Sequence, residues 1–167
     1  AEEYLEMIRL KTAVLLAASL KIGARLGGAS VEDADRLYDF GMHIGVAFQL
    51  KDDLLDVYGN AKVFGKNIGG DILCNKKTYM LIKALEHANA DQHNQLNSWI
   101  NAETFQPAEK IAAVTELYDR IGVKAVCENK ILEYSNRAME SLAAVSIAEE
   151  KKEELKKIRE NLIHREV

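Results

Sequence analysis

Apolar positions recur at helical spacing from the first residues of the chain onward. Between Tyr4 and Ile22 they fall at Leu5, Ile8, Val14, Leu15, Ala18 and Ile22, which predicts an amphipathic helix. The stretch ARLGGAS, residues 24–30, ends it, and Ser30 stands where an N-cap is needed for the next helix. That helix is expected from about Val31 to Val57, weakly interrupted by Gly41 and Gly45. YGNAKVFGKNIGGD, residues 58–71, then reads as a loop rich in Gly and Lys; loops this long without structure of their own are usually functional or disordered.

Beyond it, KKTYMLIKALEHA predicts a helix, and Asn89 to Thr104 reads as a polar stretch. PAEKIAAVTELYDRIG carries Pro107 at a first helical position and Gly122 at a C-cap. A helix from about Val123 to Val145 follows. The last, IAEEKKEELKKIRENLIHR, has an expected apolar face of Ile147, Leu155, Ile158 and Leu162. No alternating strand pattern occurs, so the expected fold class is all-α, a helical bundle.

Composition narrows the function classes. A chain of 167 residues is long enough for one domain with a real core. Its formal net charge of -4, with no basic run or face, gives no footprint for nucleic acid. The longest apolar run, AVLLAASL at residues 13–20, is too short to span a bilayer. AEEYLEM at the start lacks the apolar segment of a signal peptide. Cys74 and Cys127 match neither zinc nor disulfide spacing. A cytoplasmic protein is the default expectation. The chain opens without Met, three residues before a periodic helix with no cap, so it is expected to be a piece of a longer protein.

The charged positions carry the chemistry. In AFQLKDDLLDVYG, residues 47–59, three acids interrupt an apolar run, and Asp is a poor helix former that resists burial. Gln49, Asp52, Asp53 and Asp56 share one side of a helix, with Asp52 and Asp56 one above the other. Carboxylates about 6 Å apart repel by about 0.7 kcal/mol in water and about 3 kcal/mol at an effective dielectric near 20. Exposure, protonation or an intervening cation removes that cost. Mg²⁺ suits hard oxygen ligands and commonly bridges one or two carboxylates to a phosphate. A solvated acidic face is the alternative, but Val46, Phe48, Leu50, Leu54, Leu55 and Val57 leave it only a narrow strip.

The next segment, FGKNIGGDILCNKKT, adds Lys66, Asp71, Lys76 and Lys77, with glycines that let backbone approach a ligand closely. Lysines beside a metal-binding acid cluster would serve a polyanion; a basic surface loop is the plainer reading. Lys11 and Thr12 place a cation and a hydroxyl within the apolar first helix, where a lysine ordinarily snorkels to water.

Taken in order, RLKTAVLLAASLKIGARLGG, FQLKDDLLDVYG and GKNIGGDILCNKKT resemble the back half of the trans-isoprenyl diphosphate synthase (polyprenyl synthetase) family, over essentially the whole chain. The resemblance implies an isoprenoid-synthase-type helical bundle, of which this chain is the C-terminal part. It implies condensation of an allylic diphosphate with isopentenyl diphosphate, three Mg²⁺ ions per site, and a homodimer. By the same resemblance Asp52 is a direct metal ligand, Asp53 and Asp56 support it, and Asp71 holds metal-bound water. Lys11, Lys66 and Lys76 hold the allylic diphosphate. Thr12 and Gln49 lie near the developing allylic cation, and Phe48 touches the homoallylic substrate. The family's first aspartate-rich motif is not in this chain, which implies a fragment inactive alone. Lys51 and Asn60 stand where relatives often carry Gln and Asp. Other readings are a non-catalytic subunit of a heteromeric synthase, a class I terpene cyclase, or a plain helical interaction domain. The retained acids and lysines argue against the subunit, and Asp-Asp-Leu-Leu-Asp argues against the cyclase.

Overall fold

The computed structural model describes residues 1–60 and 68–163, and every regular element among them is helical. In chain order these are α1 (Glu2–Ile8), a π-helical turn (Arg9–Ala13), α2 (Val14–Leu26), α3 (Val31–Tyr58), α4 (Gly70–Leu73), α5 (Tyr79–His87), α6 (Ala90–Ile100), α7 (Pro107–Ile121), α8 (Val123–Ala143) and α9 (Glu149–Ile163). The all-α expectation holds. Among the described residues no helix is long and apolar enough to cross a membrane.

Local chemistry explains the boundaries. Ser30 Oγ accepts the Asp33 N–H at 3.0 Å and so caps α3. Pro107 opens α7, and Gly122 closes it in the left-handed conformation at φ 83°. The polar stretch expected from Asn89 to Thr104 is a correction, because most of it is α6. Asn89 Oδ1 accepts the Gln92 N–H at 2.9 Å while Gln92 Oε1 accepts the Asn89 N–H at 3.0 Å. That reciprocal box starts the helix, and a single buried side chain, Leu96, anchors it.

The chain divides into two compact units, and α3 and α8 contribute residues to each. In the unit spanning Asp52–Glu128, α4, α5 and α6 each pack against α7. Leu54, Ile72, Met80, Leu96, Val114 and Leu117 are buried there.

The other unit holds residues 2–51 and 129–163. Its core is Phe40, Ile44, Ala138, Leu142 and Val145, with Leu155, Leu162 and Ile163 packed against it. Of the face expected for the last helix, Leu155 and Leu162 pack inward as expected, while Ile147 and Ile158 do not. Lys152, Leu155, Arg159 and Leu162 form the inner stripe, while Ile158 is 48% exposed and Ile147 lies ahead of the helix at 42%. Polar partners make that stripe possible: Lys152 Nζ donates to the Ala143 carbonyl at 3.0 Å, and Arg159 Nε to Ser135 Oγ at 2.7 Å.

Gly41 and Gly45 do not interrupt α3. A Cβ on Gly41 would lie 2.7 Å from Ala17 Cα, and one on Gly45 would lie 2.7 Å from both Ala13 Cα and Cβ. The absent side chains let backbones touch. Tyr4, Ile8, Ala13 and Ala17 are buried along the first helical segment, four, five and four residues apart. The five-residue step coincides with the π turn, whose wider winding absorbs it.

Candidate functional site

Asp52, Asp53 and Asp56 occupy the last turns of α3. Asp53 is 5% exposed; Asp52 and Asp56 are half-buried. The chain returns to them at Gly69, whose φ of 85° suits glycine and whose N–H donates to the Asp56 carbonyl at 2.6 Å. The Asp71 N–H, in the first turn of α4, donates to Asp56 Oδ2 at 2.9 Å. Burial pushes the Asp56 carboxyl above its ordinary value; the Asp71 N–H opposes the rise, and the Asp71 carboxylate adds to it.

Lys76 completes the cluster. Its Nζ donates to Asp53 Oδ1 at 3.0 Å and to Asp71 Oδ2 at 2.7 Å. Burial works to lower the Lys76 ammonium, but the hydrogen bonds to Asp71 and Asp53 together outweigh it and hold the group well above its usual value.

The turn that delivers Lys76 is a helix cap. At the end of α4 the Asn75 N–H donates to the Ile72 carbonyl at 3.2 Å and the Lys76 N–H to the Asp71 carbonyl at 2.9 Å. These are the paired bonds of a Schellman motif, with Asn75 in the left-handed position at φ 50°. That conformation costs a residue with a Cβ on the order of 1 kcal/mol, least for Asn. The Asn75 side chain is tied at both ends: Nδ2 donates to the Ile100 carbonyl at 2.9 Å, and Oδ1 accepts from Lys110 Nζ at 2.7 Å. Lys110 is 1% exposed, and its ammonium stands 4.2 Å from the centre of the Phe105 ring. Burial lowers its pKa from the ordinary lysine value. A cavity of about 20 Å³, room for one water, is lined by Asp71, Asn75, Lys76, Lys110 and Trp99 among others. Sequence reading passed over Asn75 and Lys110, although an Asn just after a short helix is a recognised cap signal.

Asp53, Asp56, Asp71 and Lys76 are thus brought together within one unit. Lys11, Thr12, Phe48 and Gln49 belong to the other. Lys11 is exposed; Thr12, Phe48 and Gln49 are half-buried. Lys11 and Thr12 lie in the π turn, a feature that marks functional sites in many helices. The five-residue step from Ile8 to Ala13 was its signal in the sequence. Lys66 lies outside the described residues.

Among the described residues no three His, Cys, Asp or Glu side chains form a group that could hold a metal ion. Mg²⁺ does not require one, since it keeps several waters and takes one or two carboxylates with substrate phosphates. Asp52 and Asp56, half-buried on consecutive turns of α3, are hard oxygen donors of that kind, so these residues fit the ion as one side of a phosphate-bridged site.

The model of the polyprenyl synthetase family matches residues 1–118. The chain belongs to the polyprenyl synthetase family. This polyprenyl synthetase chain is 38% identical over 141 residues to a short chain isoprenyl diphosphate synthase of Methanothermobacter thermautotrophicus, covering 84% of itself and 42% of that relative. Among solved structures it matches a geranylgeranyl pyrophosphate synthase with TM-score 0.91 and 35% identity, over 99% of this chain and 51% of the other. It also matches the geranylgeranyl pyrophosphate synthase from Corynebacterium glutamicum complexed with isoprenyl diphosphate and magnesium, with TM-score 0.87 and 31% identity, over 98% and 46%. The fold is therefore that of the all-α isoprenoid synthases, and the chain spans less than half the length of the curated relative it matches.

Proposed function

We propose that the chain is the C-terminal part of a Mg²⁺-dependent prenyltransferase that condenses an allylic diphosphate with isopentenyl diphosphate. The allylic carbon–oxygen bond breaks, a carbon–carbon bond forms, and the proton lost from the product leaves with the diphosphate. One observation carries the reading: Lys76 is held between Asp53 and Asp71, beside an Asp56 whose charge burial makes costly. Such a cluster is strained toward accepting a cation and presents a fixed ammonium to an anion.

In this reading Lys76, Lys11 and Lys66 hold the allylic diphosphate and take up the negative charge that builds on it. Asp52 is the direct oxygen ligand to metal, Asp53 and Asp56 support it, and Asp71 orders water around it. Bound Mg²⁺ supplies charge neutralisation to the leaving diphosphate. Thr12 and Gln49 turn oxygen dipoles toward the allylic cation, and Phe48 packs on the homoallylic substrate. Met7, Leu10, Leu15, Ile22 and Leu26 are exposed along α1, the π turn and α2, which supports further bundle or a second subunit covering them. The active form is thus a longer parent, assembled as a homodimer, and the 167 residues are inactive alone.

The test is incorporation of labelled isopentenyl diphosphate into product by the parent protein with Mg²⁺ present. Asp52→Ala is expected to cut turnover by at least about 100-fold, the scale of a lost metal contact, with helical content unchanged. Turnover near wild type would refute the metal assignment.

A further inference from the structure

Lys76 turns back toward Asp71 because the backbone reverses at Asn75. The Asn75 amide links that reversal to the last residue of α6, through the Ile100 carbonyl, and to the first turns of α7, through Lys110. Lys110 is an expensive way to fill its position. An apolar side chain of similar length would avoid burying an ammonium whose contacts, among the described residues, are one amide oxygen and one ring face. What the ammonium does, and an apolar group would not, is grip the Asn75 oxygen and so hold the amide with its Nδ2 toward Ile100.

We propose that Lys110 is a positioning residue for the diphosphate site: acting through Asn75, it fixes the left-handed turn that aims the Lys76 ammonium. The inference rests on the diphosphate-binding reading of Lys76 and extends it to two residues that would never touch substrate.

Calorimetric titration of inorganic diphosphate into the parent protein in MgCl₂ tests it, with thermal melting of each protein alongside. The proteins are wild type, Lys76→Ala, Lys110→Met, Asn75→Gly and the Asn75→Gly/Lys110→Met double variant. Glycine keeps the left-handed backbone accessible while removing both side-chain bonds, so it samples the same link without a folding penalty at that φ. Lys110→Met and Asn75→Gly are each expected to weaken binding about tenfold, the worth of one charge-assisted contact. The double variant should bind no more weakly than Asn75→Gly alone, because both changes cut one link. Lys110→Met should melt at or above the wild-type temperature.

Wild-type affinity in Lys110→Met and Asn75→Gly, with Lys76→Ala weakened, overturns the positioning role and leaves the diphosphate reading standing. Affinity losses that follow falls in melting temperature across the set also overturn it, since a merely structural role predicts that pattern. Unchanged binding by Lys76→Ala removes the diphosphate reading and this inference with it.

Discussion

Lys76→Met removes one ammonium from two carboxylates at once. The contacts are 3.0 Å to Asp53 and 2.7 Å to Asp71. At an effective dielectric near 20 these correspond to about 5.5 and about 6 kcal/mol of raw Coulomb attraction. Most of that is offset, because the Lys76 side chain is 45% exposed and water screens the pair, while ordering a lysine costs side-chain entropy. Asp53 gains little hydration in return, since its side chain stays 6% exposed. The expected net loss is about 2 kcal/mol, between a surface and a buried pair. For a chain of this size that lowers the melting temperature by about 4–8 °C. The pH dependence carries the sharper test. A lysine whose folded pKa is raised contributes fully below its unfolded value, near about 10.4, and loses that contribution as pH rises through the folded one. The wild-type contribution is therefore constant across neutral pH. The gap between the two melting curves should hold from about pH 7 to about pH 9 and shrink as pH rises past about 10.4. A gap that already shrinks between about pH 7 and about pH 9, or none at pH 7, refutes the reasoning.

Asp56→Asn should melt above wild type at pH 7, because burial disfavours the carboxylate while Asn can still accept the Asp71 N–H; the cost should appear as weaker Mg²⁺-dependent diphosphate binding in titration. Gly45→Ala should destabilise by about 1–3 kcal/mol, since the new methyl meets Ala13 backbone and Cβ at 2.7 Å, and chemical denaturation should read this as a lower midpoint with unchanged slope. His43 is held below its ordinary value, chiefly by burial, with Asp39 opposing and Arg137 assisting, and its buried Nδ1 has no hydrogen-bond partner among the described residues. Its neutral form supports the fold above about pH 6.5 and that support is lost as pH falls through the folded value, so His43→Leu should flatten the stability decline between about pH 7 and 5 in pH-dependent melting.

Elements fixed by local chemistry were legible in the sequence. Ser30, Pro107 and Gly122 each act within a turn or two of their own position, and each boundary falls where they put it. The ordered motifs carried the family, because acids and lysines at those spacings have few other uses. What stayed hidden depended on partners distant in the chain. Asn89 to Thr104 read only as a polar stretch because a helix that buries mainly Leu96 has almost no apolar periodicity to show. Ile158 was assigned inward because it is apolar, yet the inner stripe runs through Lys152 and Arg159, whose acceptors come from α8. Lys110 gave no signal at all: a lysine three residues past Pro107 reads as surface until Asn75, 35 positions earlier, is seen to receive it.

The widened turn at Arg9–Ala13 sets a phase relation between the two ends of the first helical segment. Excising a single residue there would restore regular winding and turn the five-residue step from Ile8 to Ala13 into a four-residue one. Tyr4 and Ile8 would then stay on the side they share with Ala13 and Ala17, because a regular helix returns to the same face after four residues. A one-residue gap at the widened turn is therefore a length change the apolar stripe survives, whereas the same gap on either side of it would swing the stretch beyond by about 100° and call for a rewritten stripe.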